Sequence, residues 1–148
     1  RQKLIELIEK PLWTITGKCA KDTLIPDLVS ICKVNDQHQF IIFDAKYYNA
    51  HLEKGIVPTG QPGIESITKQ YLYQLAYQQF IEDHNFSSVK NCFLLPTENN
   101  EIEDKGEVRM EMLSNLGLQD IKIRLIPATM AYDLYLSGSK MDMERLDL

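Results

Sequence analysis

The chain has 148 residues, of which 44% are hydrophobic, and this is enough for one domain with its own core. Its longest apolar stretches have the length of a strand, far below the roughly 18 residues needed to cross a membrane. The formal net charge of −5, from 21 acidic and 16 basic residues, has the wrong sign for a protein that holds nucleic acid by electrostatics alone. Because carboxylates that bind a metal ion count as negative until the ion arrives, this charge does not exclude a metal-dependent nuclease.

The first residues and the cysteines bear on the setting of the chain. It begins with Arg1, and the residues that follow are charged and amphipathic, unlike a signal peptide. We therefore expect 1–148 to be one domain cut from a longer protein, with further sequence upstream. Cys19, Cys32 and Cys92 have no paired spacing, which favours a reducing cytoplasm over a disulfide framework. The histidines are too isolated for a zinc site.

Hydrophobic periodicity and the positions of Gly and Pro predict an alternation of helices and strands. In the first part of the chain we expect a helix over 2–10, a short strand over 13–15, strands over 23–33 and 39–48 around a polar turn at 35–38, and a loop over 49–63. In the second part we expect a helix over 64–84, a strand over 89–95 and an acidic loop over 97–106. For 108–113 we expect a strand in preference to a short helix. We then expect a strand over 121–126 with one solvent-facing side, and a helix over 128–136 before a frayed polar tail. This order is typical of an α/β fold with a mixed central sheet flanked by helices.

Three charged residues are placed where one edge of the sheet would bring them together. Asp44 and Lys46 directly follow the apolar run FIIF, and because they are two apart in a strand, their side chains leave the same face. Asp27 lies in the preceding strand, and antiparallel pairing across the turn brings it close to Asp44. Charges in a strand that is apolar on both faces are costly unless they are paired or bound to a metal.

Two neighbouring carboxylates repel each other unless a cation lies between them. Mg²⁺ suits such a place because it is a hard ion that takes oxygen ligands and keeps several waters. The same ion activates a water molecule and neutralises charge that develops on a phosphate. Lys46 would orient or deprotonate that water, or stabilise the reacting phosphorus. The competing interpretations are a surface ion pair between Asp44 and Lys46 and a turn role for Asp27 after Pro26.

These residues resemble a known nuclease pattern. Pro26 and Asp27, followed by Asp44, Ala45 and Lys46, match the PD…(D/E)xK pattern of the restriction-endonuclease-like superfamily. The wider sequence pattern IPDLV…FIIFDAKYYN…ITKQYLYQLAYQQF is similar to that of the LlaJI-type restriction endonucleases. These enzymes in turn resemble the McrC nuclease subunits of modification-dependent restriction systems. The similarity covers nearly two thirds of the chain and implies a restriction-endonuclease-like core.

The resemblance implies a role for each residue of this pattern. Asp27 and Asp44 would bind Mg²⁺, and the backbone carbonyl of Ala45 would be a further ligand. Lys46 would be the catalytic lysine. Mn²⁺ is expected to substitute for Mg²⁺ in such a site.

The family implies two further groups of residues on the helices. A glutamate from the first helix often joins the metal ligands, and here Glu6 and Glu9 both qualify, with Glu9 slightly preferred over its alternative. Related nucleases also carry a glutamine and a tyrosine on the helix after the hairpin, and the corresponding face of this chain holds Gln70, Gln74 and Tyr77, with Tyr73 beside them. The RecB-like branch has Gln-x-x-x-Tyr, whereas this chain has Gln-x-x-Tyr twice, so the functional pair stays open. The competing interpretations are solvated helix faces for the glutamates and core packing for the glutamine and tyrosine residues.

By this resemblance the chain would be the Mg²⁺-dependent DNA endonuclease domain of a bacterial, cytoplasmic restriction system, with its DNA-recognition region upstream. Its expected partners are double-stranded DNA and a separate McrB-like GTPase of the AAA+ class, with a homodimer for double-strand cleavage as a further option and no membrane. A RecB-like repair or recombination nuclease is one alternative. The other is a catalytically inactive nuclease-like module for DNA binding or assembly.

Overall fold

The computed structural model describes residues 4, 6–130 and 143–148. Its strands are β1 (Leu12–Trp13), β2 (Lys18–Cys19), β3 (Leu28–Val34), β4 (Gln37–Ala45), β5 (Ser88–Thr97), β6 (Glu103–Val108) and β7 (Ile121–Pro127). Its helices are α1 (Ile64–Ala76), α2 (Gln78–Asp83) and α3 (Glu111–Ser114), and a 3₁₀ turn covers Met143–Leu146. Within these residues, no helix is long and apolar enough to cross a membrane.

Five of these strands form one mixed sheet in the order β3-β4-β5-β7-β6. Strands β4, β5 and β7 are parallel, and each outer strand runs antiparallel to its neighbour. Strands β1 and β2 form a separate hairpin where one short strand was predicted over 13–15. The predicted fold class, a mixed α/β arrangement with helices beside a central sheet, is confirmed.

The β3–β4 hairpin is closed by a two-residue turn. Asn35 and Asp36 have φ values of 52° and 64°. Asparagine and aspartate tolerate this left-handed conformation better than most residues, and a type I′ turn requires it. The turn sets the register in which Leu28 lies opposite Phe43. The predicted hairpin is therefore confirmed, with a tighter turn than 35–38.

Both hairpin strands are shorter than predicted at the end away from the turn. Strand β3 begins at Leu28, because Pro26 has no N–H to give to a ladder. Strand β4 ends at Ala45, so Lys46 lies just beyond it. Five consecutive residues of β4, the last of them Asp44, are buried. This burial confirms that β4 is an inner strand of the sheet.

Helix α1 covers the face of the sheet next to the hairpin. Phe40 and Ile42 of β4 pack with Tyr73 and Tyr77 in one core cluster, and the Phe40 and Tyr77 ring centroids are 5.2 Å apart. The single helix predicted over 64–84 is wrong at Tyr77, which separates α1 from α2. The N–H of Tyr77 is shared between two carbonyls, as is common at a helix end.

The opposite face of the sheet is covered by the C-terminal turn. Ile41, Phe43 and Cys92 form a second core cluster with Leu146, which is 1% exposed. The frayed tail predicted from the polar composition is therefore wrong for 143–148, because burial of one leucine anchors this turn.

Arg124 fixes the C-terminal turn to β7. The residue is 3% exposed, and its guanidinium donates to the carbonyls of Leu146 and Asp147, both at 2.7 Å. It also donates to the Asp104 carboxylate at 2.9 Å. The prediction that one side of 121–126 faces solvent is thus wrong at this position, since the charge is satisfied inside the protein.

Other predicted segments differ from the structure. The acidic loop over 97–106 contains the start of β6, a charged edge strand that pairs with β7 and is bulged. The strand favoured over 108–113 is replaced by α3. In the helix predicted over 2–10, residues 4 and 6 are helical and the helix does not continue past them. The helix over 128–136 starts at 128, and the rest lies outside the described residues.

Replacement of Arg124 by methionine should lower the free energy of unfolding by about 3 kcal/mol, because buried carbonyls lose their donors. It should also make the C-terminal turn sensitive to limited proteolysis. Urea unfolding and digestion of both proteins measure these effects. The control is Lys122→Met on the same strand, whose ion pair with Glu107 is about one-third exposed and is worth less than about 1 kcal/mol. Equal losses in the two variants would contradict this role of Arg124.

Candidate functional site

The register of the hairpin places Asp27 and Asp44 side by side. Leu28 of β3 is paired with Phe43 of β4. Asp27 precedes Leu28 and Asp44 follows Phe43, so the two aspartates are neighbours across the hairpin. Asp27 Oδ2 accepts a hydrogen bond from the Ala45 N–H at 3.1 Å. The Asp27 carboxyl also contacts that of Asp44 and raises its pKa. The predicted proximity of the two aspartates is confirmed.

Asp44 is a buried carboxyl with a perturbed proton affinity. Only 5% of the Asp44 surface is exposed. Burial is the main cause that raises the pKa of Asp44 from 3.8 to about 6, and the hydrogen bond with Asp27 is the next. The positive charge of Lys46 acts in the opposite direction. A carboxyl perturbed by burial and by a specific charged neighbour is typical of a functional site.

Lys46 supplies the positive charge beside the aspartates. Its Nζ lies 3.3 Å from Asp44 Oδ2, and its side chain is 28% exposed. The prediction that Asp44 and Lys46 leave the same face is confirmed. Because the ammonium is paired on one side and open to solvent on the other, it can meet an anion that approaches from outside.

Helix α1 contributes two side-chain hydrogen bonds near the aspartates. Gln70 is fully buried, and its Nε2 donates to the Ile42 carbonyl at 2.8 Å. The Tyr73 hydroxyl donates to the Ile25 carbonyl at 3.3 Å. Burial raises the pKa of Tyr73, and the charges of both aspartates add to this shift. Tyr73 belongs to one of the two Gln-x-x-Tyr pairs that the sequence left open, and its spacing from Gln70 is the signal that points to it.

Gln74 and Tyr77 contact other parts of the core. Gln74 Oε1 accepts hydrogen bonds from Asn91 Nδ2 at 3.2 Å and from the Gln119 N–H at 2.9 Å. The Tyr77 hydroxyl is buried and has no hydrogen-bond partner in the described part of the chain. Of Gln70, Gln74 and Tyr77, only Gln70 makes a side-chain hydrogen bond, within the described residues, to the strand that carries Asp44. Catalytic roles for all three stay predictions.

Within the described residues, no third acid is grouped with the two aspartates to hold a metal ion. Glu6 and Glu9 are exposed, and it is the backbone carbonyl of Glu9 that accepts a hydrogen bond, from Thr23 Oγ1 at 2.5 Å. Across residues 4, 6–130 and 143–148, no three His, Cys, Asp or Glu side chains are grouped to hold a metal ion. The glutamate ligand therefore stays a prediction.

Two carboxylates nevertheless fit a magnesium ion. In proteins Mg²⁺ is usually bound through one or two carboxylates and keeps several waters. Its charge would also relieve the repulsion by which Asp27 raises the pKa of Asp44. The donor set present here, two carboxylates beside the Ala45 backbone, agrees with that chemistry.

The central sheet is mixed, and a helix covers one of its faces. Two aspartates and a lysine lie at the end of an inner strand of this sheet. This arrangement is compatible with a restriction-endonuclease-like core. The family model described as LlaJI restriction endonuclease matches residues 2–134. Because this match covers most of the chain, the chain belongs to the LlaJI restriction endonuclease family. The resemblance inferred from the sequence is confirmed.

One curated relative is the protein described as type II restriction enzyme BsuMI component YdjA, from Bacillus subtilis (strain 168). The two chains are 30% identical over 148 residues. The alignment covers 96% of this chain and 30% of the relative, so the chain spans less than a third of that protein. No solved structure matches the chain.

Replacement of Asp44 by asparagine should stabilise the metal-free domain at neutral pH. Because the folded-state pKa of Asp44 is about 6 instead of 3.8, ionisation disfavours folding, and stability is lost as the pH rises between these values. The variant should gain on the order of 2 to 3 kcal/mol above about pH 7 and nothing below about pH 4.

Urea unfolding of the wild type and Asp44→Asn across this pH range measures the difference. The control is Asp22→Asn, which removes the charge of an exposed aspartate and should show no such gain. A difference between Asp44→Asn and the wild type that does not vary with pH would contradict the prediction.

Proposed function

We propose that this chain is the Mg²⁺-dependent nuclease domain of a restriction system and hydrolyses phosphodiester bonds in double-stranded DNA. The observation that carries the proposal is the Asp27 and Asp44 pair at the end of a buried strand, with Lys46 Nζ 3.3 Å from Asp44. Two acids and a lysine in this order match the PD…(D/E)xK pattern. Membership of the LlaJI restriction endonuclease family supports the same reaction.

The residues of the site would have two roles, metal binding and phosphate binding. Asp27, Asp44 and the Ala45 carbonyl would hold the ion, with Asp44 in its ionised form. When bound, Mg²⁺, or Mn²⁺ in its place, would supply a polarised water and a positive charge that stabilises charge developing on the phosphate. Lys46 is held by Asp44 and remains partly open to solvent, so its ammonium is placed to bind a phosphate oxygen or to orient the attacking water.

The binding of DNA would depend largely on groups outside this domain. A net charge of −5 opposes sequence-independent attraction to a polyanion. The relative described above, of which this chain spans 30%, is named a component of a type II restriction enzyme. We propose that this nuclease domain is part of a longer bacterial, cytoplasmic protein that has an upstream DNA-recognition region. A McrB-like GTPase of the AAA+ class is the proposed partner, and a homodimer for double-strand cleavage is a further option.

Two other functions would use the same geometry differently. A RecB-like repair or recombination nuclease would rely on the same trio but would require a DNA end. An inactive nuclease-like module would keep the fold, and it would take up no metal beside the aspartates. Substrate topology separates the first from a restriction endonuclease, and metal uptake separates the second.

Asp44→Ala and Lys46→Ala should each reduce plasmid cleavage by more than about a hundredfold, because one removes a metal ligand and the other the charge that faces the phosphate. The assay compares cleavage in Mg²⁺ or Mn²⁺, with and without the partner GTPase. Lys33→Ala is the control, since Lys33 lies at the opposite end of the hairpin and pairs with exposed Asp36. Cleavage that survives both site variants would rule out the assignment.

Covalently closed circular DNA should be cut by the wild-type protein in the same assay, since a restriction endonuclease needs no DNA end. Linear DNA of the same sequence serves as the matched substrate. Degradation of the linear form alone would favour the repair or recombination nuclease. Intact DNA in both arms, together with no Mn²⁺ uptake in a calorimetric titration, would favour the inactive module.

A further inference from the structure

The two aspartates of the site are held by different means. Asp44 lies in β4, which is paired with β3 on one side and with β5 on the other. Asp27 lies outside the sheet, in the segment 23–27 that precedes β3. Pro26 has no N–H, so a ladder cannot extend into this segment. The position of Asp27 therefore depends on contacts other than strand pairing.

Side-chain hydrogen bonds anchor the segment 23–27. The Thr23 hydroxyl donates a hydrogen bond to the backbone carbonyl of Glu9 at 2.5 Å. Closer to the site, the Tyr73 hydroxyl donates to the Ile25 carbonyl at 3.3 Å. Because Ile25 precedes Asp27 by only two residues, this second bond restrains the backbone from which the carboxylate projects.

Helix α1 makes a matching bond to the strand that carries Asp44. Gln70 Nε2 donates to the carbonyl of Ile42, which precedes Asp44 by two residues, the same offset as found before Asp27. Gln70 and Tyr73 are three apart and therefore lie on the same side of α1. One helix thus bonds to the backbone just before each aspartate.

We infer that Tyr73 is a positioning residue that sets the place of Asp27 relative to Asp44 through its hydrogen bond to the Ile25 carbonyl. This inference rests on the proposed function, in which the two aspartates share one metal ion. Small shifts matter there, because Mg²⁺ requires near-octahedral ligands at about 2.0–2.1 Å. Gln70 acts on the other side, where ladder bonds to two neighbouring strands already fix the backbone.

The tyrosine hydroxyl is suited to this task because it remains a donor. A carbonyl only accepts hydrogen bonds, so the phenol must keep its proton. Burial and the charges of the two aspartates raise the pKa of Tyr73, and both effects favour the protonated form. The ring packs with Phe40 and Ile42 in the core, so the hydroxyl is held where the helix places it.

The test compares Tyr73→Phe with Tyr71→Phe in the full chain. Both variants keep a buried ring on α1, but the Tyr71 hydroxyl instead accepts a hydrogen bond from the Met110 N–H at 3.1 Å. Hydrogen–deuterium exchange of peptides over 23–28 is measured without metal or DNA. Mn²⁺ affinity is measured by isothermal calorimetry, and cleavage is followed over a range of Mg²⁺ concentrations.

Tyr73→Phe should speed exchange at 23–28 while peptides of β5 keep their protection. It should weaken Mn²⁺ binding about tenfold, as the loss of one hydrogen bond allows. Its cleavage should fall at limiting Mg²⁺ and recover at high Mg²⁺. Tyr71→Phe should match the wild type in exchange at 23–28 and in Mn²⁺ affinity.

Wild-type exchange at 23–28 in Tyr73→Phe would overturn the inference, whether or not the domain cuts DNA. Equal weakening of Mn²⁺ binding by both variants would also overturn it, since that result indicates a general loss of packing. Failure of the proposed function would look different. The wild type would then bind no Mn²⁺ and cut no DNA, while faster exchange in Tyr73→Phe alone would still support the anchoring of the segment.

Discussion

Two carboxylates that lie side by side at the end of a buried strand repel each other, and much of this fold serves to hold them there. Burial is the main cause of the raised pKa of Asp44, and the neighbouring Asp27 adds to it. Lys46 offsets part of it with an ammonium 3.3 Å away. The paired strands supply the rest of the restraint, because β4 is bonded on both sides and cannot relax. A more flexible frame would let the carboxylates separate.

The two faces of the sheet are stabilised by different interactions. On the α1 face, Phe40 and Ile42 pack against tyrosine rings, and alternation along β4 puts Asp44 on this same face. On the opposite face, a buried guanidinium at Arg124 binds the carbonyls of the C-terminal turn. The charge at Arg124 is balanced by acceptors within the protein, whereas the charge at Asp44 is offset only in part, by Lys46. Arg124 therefore has a structural role, whereas a carboxyl perturbed like that of Asp44 is typical of a functional site.

Contacts across a short turn between neighbouring strands could be predicted from the sequence, and contacts between segments that no turn joins could not. Asp44 and Lys46 follow an apolar run, and a short turn precedes that run. These features were enough to predict the hairpin and the closeness of Asp27 to Asp44. Arg124 was assigned to solvent because strand alternation cannot reveal partners 22 and 23 residues away. The contact of Tyr73 joins residues 48 apart, and the charged edge strand β6 resembles a loop until its pairing with β7 is known.

The two edges of the sheet differ in how they would meet another β-strand. Strand β6 is charged and is bulged between Asp104 and Glu107, and both features discourage edge-to-edge pairing. Strand β3 instead carries Leu28 and Ile31, which are 41% and 44% exposed. Among the described strands, an added strand is therefore less strongly discouraged at β3 than at β6. The β3 side is the one where Asp27 enters the hairpin, so association through the sheet edge and access to the site would compete for the same region.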